Sequence, residues 1–214
     1  MPMKTLLRTV AIVALFVTFI GGYVSADKPS FSDKEISKIE KQAAKEAKQK
    51  AKELKKAGWT VEGSGTMESM LAEHITKRRV NGLEERSPEA NGNISYSMCR
   101  KKLRNSVSID YAREMTEVLK GVTSQEVTDL EKDQAENFTQ AVESRIAMDM
   151  AGEIKESFAL TRVKNGKYDM KIFYLIDPEN AQAARLRAMK YAEERSKLSQ
   201  KFRDAIHKAV EGDK

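Results

Sequence analysis

Apolar residues that recur every three or four positions predict a long helix near the start of the chain. Ser32 and Glu35 form a capping-box pattern at its beginning, and Gly58 is well placed to end it. Because its apolar stripe is narrow and mostly alanine, the helix buries little surface and must lie against something larger. We predict a charged packing helix; the alternative is an arm that pairs with another helix.

The next elements are short. Trp59 and Val61 alternate with polar residues and predict a strand. Apolar residues at helical spacing predict a second helix over residues 67–80. The polar run 81–93 predicts a loop, and the alternation in 94–99 predicts the next strand.

The second half of the chain alternates between helical and extended patterns. Helices are predicted over residues 100–120, closed by Gly121, and from about Ser124 to Ile154. Two apolar-rich segments follow, joined by Asn165-Gly166, the dipeptide of tight hairpin turns. Asp177 and Pro178 then begin a last helix. Its inner side is predicted to carry Leu186, Met189, Leu198, Phe202, Ile206 and Val210.

This order of elements predicts an α+β fold, with long helices laid over one face of a small antiparallel sheet. Residues 27–214 are predicted to form a single domain with helical extensions at 27–57 and 178–214. The first and last long helices then flank the sheet.

Residues 1–26 have the features of a secretory signal. Lys4 and Arg8 precede an apolar run over residues 10–20, and Val24 and Ala26 are small residues suited to signal peptidase, which predicts cleavage after Ala26. A membrane anchor is the alternative, but a spanning helix needs about 20 apolar residues, roughly twice this run. We therefore expect a soluble exported protein, periplasmic or extracellular, with no transmembrane anchor after cleavage.

The charge balance is basic, with 38 lysines and arginines against 32 acids and a formal net charge of +6. The two signs are interleaved along the predicted helices, which is typical of solvated faces. Phosphate backbones require one sign concentrated on one surface, so no nucleic-acid partner is predicted.

Candidate chemistry is sparse. The segment GWTVEGSGTMES has Gly63 and Gly65 after a predicted strand, but Glu68 occupies the third glycine position of a dinucleotide motif and repels phosphate. A turn and helix cap is the prediction there. Cys99 is the only cysteine, predicted to be buried, with pairing to a second chain as the alternative.

No catalytic residue, cofactor or metal site is predicted. His74 and His207 are the only histidines; His74 continues an apolar stripe, which favours a core histidine. Cys99 with His74 is the one pair that an enzyme hypothesis has. Weak candidates for ligand binding are the aromatic residues that offer stacking surfaces in a cleft between helix and sheet, although core packing also explains them. They are Trp59, Tyr96, Tyr111 and Tyr174.

Two segments carry a resemblance to known proteins. They are KKAGWTVEGSGTME, residues 55–68, and GKYDMKIFYLI, residues 166–176. With the signal and the alanine-rich helix, the chain resembles uncharacterised exported proteins of Bacteroides-type bacteria. More remotely it is similar to small Helicobacter outer-membrane lipoproteins and to the N-terminal module of a flagellar basal-body assembly protein. The resemblance implies a compact helix-on-sheet module in the envelope, although the chain lacks the lipoproteins' lipidation cysteine.

The leading hypothesis is a non-enzymatic protein of the bacterial cell envelope that acts through contacts with an envelope protein partner. The alternative is a periplasmic or surface module that binds a small ligand or an envelope glycan. An enzyme that uses Cys99 with His74 is the third hypothesis.

Overall fold

An antiparallel hairpin organises the fold. In the computed structural model, which describes residues 30–126, 132–196, 200, 203 and 204, strands β4 (Lys155–Lys164) and β5 (Lys167–Ile176) pair along their length. Asn165 and Gly166 join them with φ angles of 54° and 70°. Positive φ at both turn positions suits Asn-Gly, so the predicted hairpin is confirmed.

Three short strands extend this hairpin into a five-stranded antiparallel sheet. Strand β1 (Thr60–Val61) pairs with β4. Strands β2 (Glu84–Arg86) and β3 (Glu89–Asn93) both pair with the other edge of β5.

The predicted loop over residues 81–93 is therefore wrong. Although its side chains are polar, the edge of β5 offers unpaired backbone groups, which a neighbouring segment satisfies whatever its hydropathy. Pro88 lies between the two strands and its carbonyl still accepts a hydrogen bond of 3.2 Å from the Ile172 N–H.

The described residues form five helices, and their local signals were largely correct. Helix α1 (Asp33–Lys56) begins with the predicted capping box, in which the Ser32 N–H donates to Glu35 Oε2 at 2.9 Å. Helix α2 spans Met67–Val80, as predicted. Helix α5 (Pro178–Arg195) begins at the predicted cap, with Asp177 Oδ1 accepting from the Glu179 N–H at 3.0 Å. The remaining helices are α3 (Tyr96–Glu126) and α4 (Lys132–Glu153).

Helix α3 differs from its prediction at both ends. Residues 94–99 do not form a strand, because α3 begins at Tyr96 and places Cys99, Leu103 and Val107 in contact with the sheet at helical spacing. Nor does the helix stop at Gly121. A glycine inside a helix costs only about 1 kcal/mol, and the packing of a 31-residue helix outweighs that cost.

The sheet is covered on both faces, so the prediction of helices over one face is wrong, while the α+β class is confirmed. Helices α1 and α2 pack on the face that carries Phe158, Leu160 and Phe173. Helix α3 packs on the opposite face, which carries Ile172 and Tyr174 among others. The cause is the unbroken apolar end of β5, residues 172–176, since a strand that is apolar at consecutive positions buries both of its faces.

Beyond the sheet, the second half of α3 forms a separate core with α4 and α5. Helix α5 faces this core mainly with small side chains, which allow close helix packing. Met189 is buried there as predicted, whereas Leu186 is 39% exposed, contrary to prediction. Leu198, Phe202, Ile206 and Val210 lie outside the described residues. The buried residues of α5 are Ala181, Ala184, Ala188, Met189 and Ala192.

Two glycines give a matched test of this backbone. We expect Gly121→Ala to stabilise the protein by about 0.5–1 kcal/mol, since the new Cβ meets nothing within 4 Å in a continuous helix. We expect Gly166→Ala to destabilise it by about 1 kcal/mol, because φ is +70° there. Chemical denaturation of both variants measures the two changes; a loss of stability in Gly121→Ala contradicts the continuous helix.

Candidate functional site

A candidate interaction surface lies where the start of α3 meets the hairpin end of the sheet. Tyr168 on β5 stands opposite Asn93 on β3 and opposite Val163 on β4. Directly opposed residues project from the same face of a sheet. The Tyr168 ring also meets the Tyr96 ring edge-on, with centroids 6.5 Å apart. The strand register and this ring contact therefore place β3, β4 and the start of α3 next to Tyr168.

Three large apolar side chains on the elements that meet here are exposed to solvent: Ile94 just before α3, Met98 in the first turn of α3 on the side away from the sheet, and Val163 on β4. Ile94 is 85% exposed, Met98 64% and Val163 65%. We name these three residues the tip surface. Single exposed apolar residues are ordinary, and Ile109, Met148 and Leu186 on the helices are of that kind. A group of them at one end of a fold is instead typical of a protein interaction site.

An ionic network holds this end of α3 in place. Arg100 Nη1 donates to both oxygens of Glu62 at 2.8 and 2.9 Å and to the Tyr96 hydroxyl at 2.9 Å. Arg100 also pairs with Glu156 on β4, and the Tyr96 hydroxyl donates to Glu62. Partial burial and the Glu62 carboxylate raise the pKa of Tyr96. The network makes the base of the tip surface rigid, which lowers the entropy lost on docking.

The four aromatic residues proposed as ligand contacts do not form one site. Trp59 is 5% exposed on the α1 and α2 face, with the Arg162 guanidinium 4.4 Å above its ring. Tyr174 is 2% exposed on the α3 face, and burial raises its pKa to about 12. Core packing explains both. Tyr96 alone among the four belongs to the surroundings of the tip surface.

Tyr111 borders a shallow groove beside β2. The groove has a volume of about 190 Å³, and the pair of Arg86 with Glu114, at 3.1 and 2.5 Å, forms one of its walls. Small-molecule sites usually measure about 300–1,000 Å³. Other lining residues are Ser87, Pro88, Val107 and Asp110.

The glycine turn acts as a cap, as predicted. Thr66 Oγ1 accepts from the Ser69 N–H at 3.1 Å and satisfies the first turn of α2. Glu68 stands in the same turn and pairs with Lys55 at 2.6 Å.

Cys99 and His74 lie on opposite faces of the sheet. Cys99 is fully buried against the α3 face, which confirms its predicted burial, although it sits on a helix and not at a strand end. His74 packs edge-on against Phe158 and Phe173, at centroid distances of 5.6 and 5.4 Å, on the other face. The sheet therefore separates the one pair that the enzyme hypothesis offered.

His74 is a core histidine with an acidic neighbour. Its Nε2 lies 3.2 Å from Glu85 Oε2, an ion-pair distance without hydrogen-bond alignment. Arg78 Nη1 donates to the same oxygen at 2.7 Å, and Lys50 Nζ is 3.7 Å from the other. Nearby His74, with Lys50 and Arg78, lowers the pKa of Glu85 to about 2, against the effect of burial. His207 lies outside the described residues.

Across the described ranges, 30–126 and 132–196, no group of three or more His, Cys, Asp or Glu side chains is arranged to hold a metal ion. In the same ranges no helix is long and apolar enough to cross a bilayer.

No family model, curated protein or solved structure matches this chain. The resemblance to exported Bacteroides-type proteins therefore stays a prediction, and so does export itself.

The tip surface could not be predicted from the sequence pattern, because the alternation in residues 94–99 predicts a strand. In that strand Ile94 and Met98 share the inward side with Tyr96, so their apolar character predicts burial. One signal for a helix was present. Ser95 and Ser97 are residue types that favour the first turn of a helix, so the strand pattern was ambiguous.

Thiol reactivity tests the placement of Cys99. We expect the native protein to resist a thiol reagent and the denatured protein to react with one equivalent, because burial excludes the reagent and raises the pKa of the thiol. Absorbance of a released chromophore measures both states. Stoichiometric reaction in the native state contradicts this placement and reopens the enzyme hypothesis.

The Glu85 cluster predicts a specific acid sensitivity. Because folding lowers the pKa of Glu85 from its ordinary 4.5 to about 2, its contribution is present above pH 4.5 and is lost as the pH falls towards 2. We expect Glu85→Gln to reduce the free energy of unfolding by up to about 3 kcal/mol at pH 7 and by less at pH 3.

Urea denaturation at the two pH values measures this difference. Glu73→Gln is the matched control, since its ion pair with Lys77 on α2 is exposed on both sides and contributes little. A cost for Glu85→Gln that does not depend on pH contradicts the electrostatic origin.

Proposed function

We propose that this chain is a non-enzymatic exported protein of the bacterial envelope and that it binds a protein partner through the tip surface. The observation that carries the proposal is the exposure of Ile94, Met98 and Val163 at one end of the sheet. Removing such side chains from water on docking contributes about 25 cal/mol per Å² of apolar area. Export rests on the signal-like residues 1–26.

The surroundings of the tip surface suit a protein partner. Stable interfaces combine an apolar centre with a polar rim and bury about 800 Å² on each side. Here exposed Lys102, one turn after Met98 on α3, and exposed Asn165, in the turn after Val163, provide such a rim. Tyr96 and Tyr168, both half-buried, add the aromatic character that interface centres favour.

The alternative, a module for a small ligand or an envelope glycan, would use the groove beside Tyr111. The groove is small, and the Tyr111 ring, only 2% exposed, offers little surface on which a sugar could stack. The protein-binding proposal therefore has the stronger support.

Site-specific crosslinking in the exporting host tests this proposal. A photoreactive amino acid replaces Met98 in one strain and Met148 in another; the two methionines are 64% and 70% exposed, and Met148 lies on α4, away from the tip surface. We expect one discrete envelope protein to be crosslinked from position 98 and not from position 148, because only the former lies at the interface.

A charge substitution supplies the second readout. Met98→Glu should reduce recovery of that partner about tenfold or more, and Met148→Glu should leave it unchanged, while circular dichroism shows both folded. Equal labelling from both positions, or recovery unaffected by Met98→Glu, contradicts the proposal. Saturable binding of an envelope glycan that Glu114→Gln weakens and Met98→Glu leaves unchanged would favour the alternative.

A further inference from the structure

The outer side of α1 carries a continuous row of lysines. Their spacing alternates between four and three residues, so with 3.6 residues per turn they stay on one face of the helix. All are exposed. The row extends for roughly 30 Å at 1.5 Å per residue. We name it the lysine stripe; its members are Lys34, Lys38, Lys41, Lys45, Lys48, Lys52 and Lys55.

The stripe lies opposite the buried side of the helix. Ala43, Ala47 and Ala51 pack against α2 and the sheet with no exposed surface. At 100° per residue the lysines point in the reverse direction, away from the body of the protein. The stripe is thus a straight convex ridge along one side of the molecule.

Acidic residues offset this ridge only in part, because Lys38 lies near the Glu35 carboxylate and Lys48 and Lys55 lie near that of Glu68. The five carboxylates of α1 fall on its flanks, where Glu46 pairs with Arg79 at 2.8 Å and Glu35 caps the helix. Within the part of the chain that the structure describes, Lys55 is the one member of the stripe in an ion pair, with Glu68. The charge signs that appear interleaved along the sequence are separated in space by the helix.

We propose that the lysine stripe seats the protein on the surface of an anionic lipid bilayer. A plane touches a convex ridge along its whole length, so all the ammonium groups reach the headgroups together. Basic residues near an anionic leaflet each add about the same increment of binding energy, and four to eight of them on one helix make a membrane-binding cluster. The secretory signal predicted over residues 1–26 takes the chain across a membrane, whose surface the exported protein then faces.

The residue types favour lipid over nucleic acid. Single-stranded nucleic acids are held in grooves with aromatic stacking platforms, whereas α1 contains no aromatic residue and forms a ridge. It also contains no arginine, whose planar fork suits bidentate phosphate contacts. A lysine ammonium acts as a point charge and makes no bidentate contact. A fluid lipid surface does not require a fixed contact geometry, so lysines are sufficient for binding it. No large apolar side chain of α1 is exposed, so the contact is electrostatic and does not insert.

Vesicle cosedimentation of the full chain, as recovered from the exporting host, tests the proposal. The stripe variant is Lys38→Gln, Lys45→Gln and Lys52→Gln together. The matched control is Lys101→Gln, Lys155→Gln and Lys190→Gln together, three exposed lysines on other elements that give the same change in net charge. The vesicles contain either phosphatidylcholine alone or phosphatidylcholine with 30% phosphatidylglycerol.

We expect the wild type and the control variant to sediment with the anionic vesicles at low salt and to be released by 0.5 M NaCl, since salt screens surface charge. The stripe variant should partition on the order of a hundredfold less. Residues 1–26, if retained, are common to all three proteins, so any contribution from them appears equally on the neutral vesicles.

Three outcomes would overturn the proposal. They are equal binding of the stripe and control variants, no preference of the wild type for anionic vesicles, or release from anionic vesicles by a duplex DNA or a sulfated polysaccharide that binds the stripe more tightly at the same salt. The stripe variant leaves the tip surface intact. Crosslinking from position 98 therefore separates failure of this proposal from failure of the protein-binding proposal.

Discussion

The register of the β4–β5 hairpin is the constraint on which the rest of the structure depends. Its alternation directs Phe158 and Phe173, stacked at 4.3 Å, towards α1 and α2, and Ile172 and Tyr174 towards α3. A slip of one residue would exchange the two sets and face each helix layer with the wrong side chains. The turn at Asn165 and Gly166 fixes this register, so one dipeptide determines the assembly of both cores adjoining the sheet.

Ionic contacts attach the elements that have few apolar residues to the rest of the fold. Strand β2 is made of Glu-Glu-Arg and has no apolar residue, yet Glu85 binds it to α2 through Arg78 and lies beside His74. Arg100 likewise attaches the start of α3 to Glu62 and Glu156. Glu85 and His74 are largely removed from water, where losing one partner costs more than at an exposed pair. Glu62, Glu85 and Glu156 are engaged in these contacts and therefore do not neutralise the charge of the lysine stripe.

The two proposed surfaces lie on opposite sides of the sheet. The lysine stripe is the outer ridge of the α1 and α2 layer, and the tip surface lies on the α3 face. Adsorption through the stripe therefore leaves the tip surface free for a protein partner. The two contacts also differ in physical character, because the stripe acts at a distance and is screened by salt, whereas apolar docking requires direct contact and is far less sensitive to salt.

The sequence by itself determined the elements whose signals are local. The Ser32 capping box, the Asn165-Gly166 turn and the Asp177 cap all depend on residues within a few positions of one another, and each lies where it was predicted. Only the tertiary structure decided that residues 84–86 and 89–93 become strands, because their backbone partners, such as Ile176 for Glu84 and Tyr168 for Asn93, come from the distant β5. It also exposed Ile94 and Met98, and it separated the charges of α1 by wrapping one side of that helix against the core. Strand pairing and burial depend on residues that are distant in sequence. A local sequence pattern therefore cannot predict them.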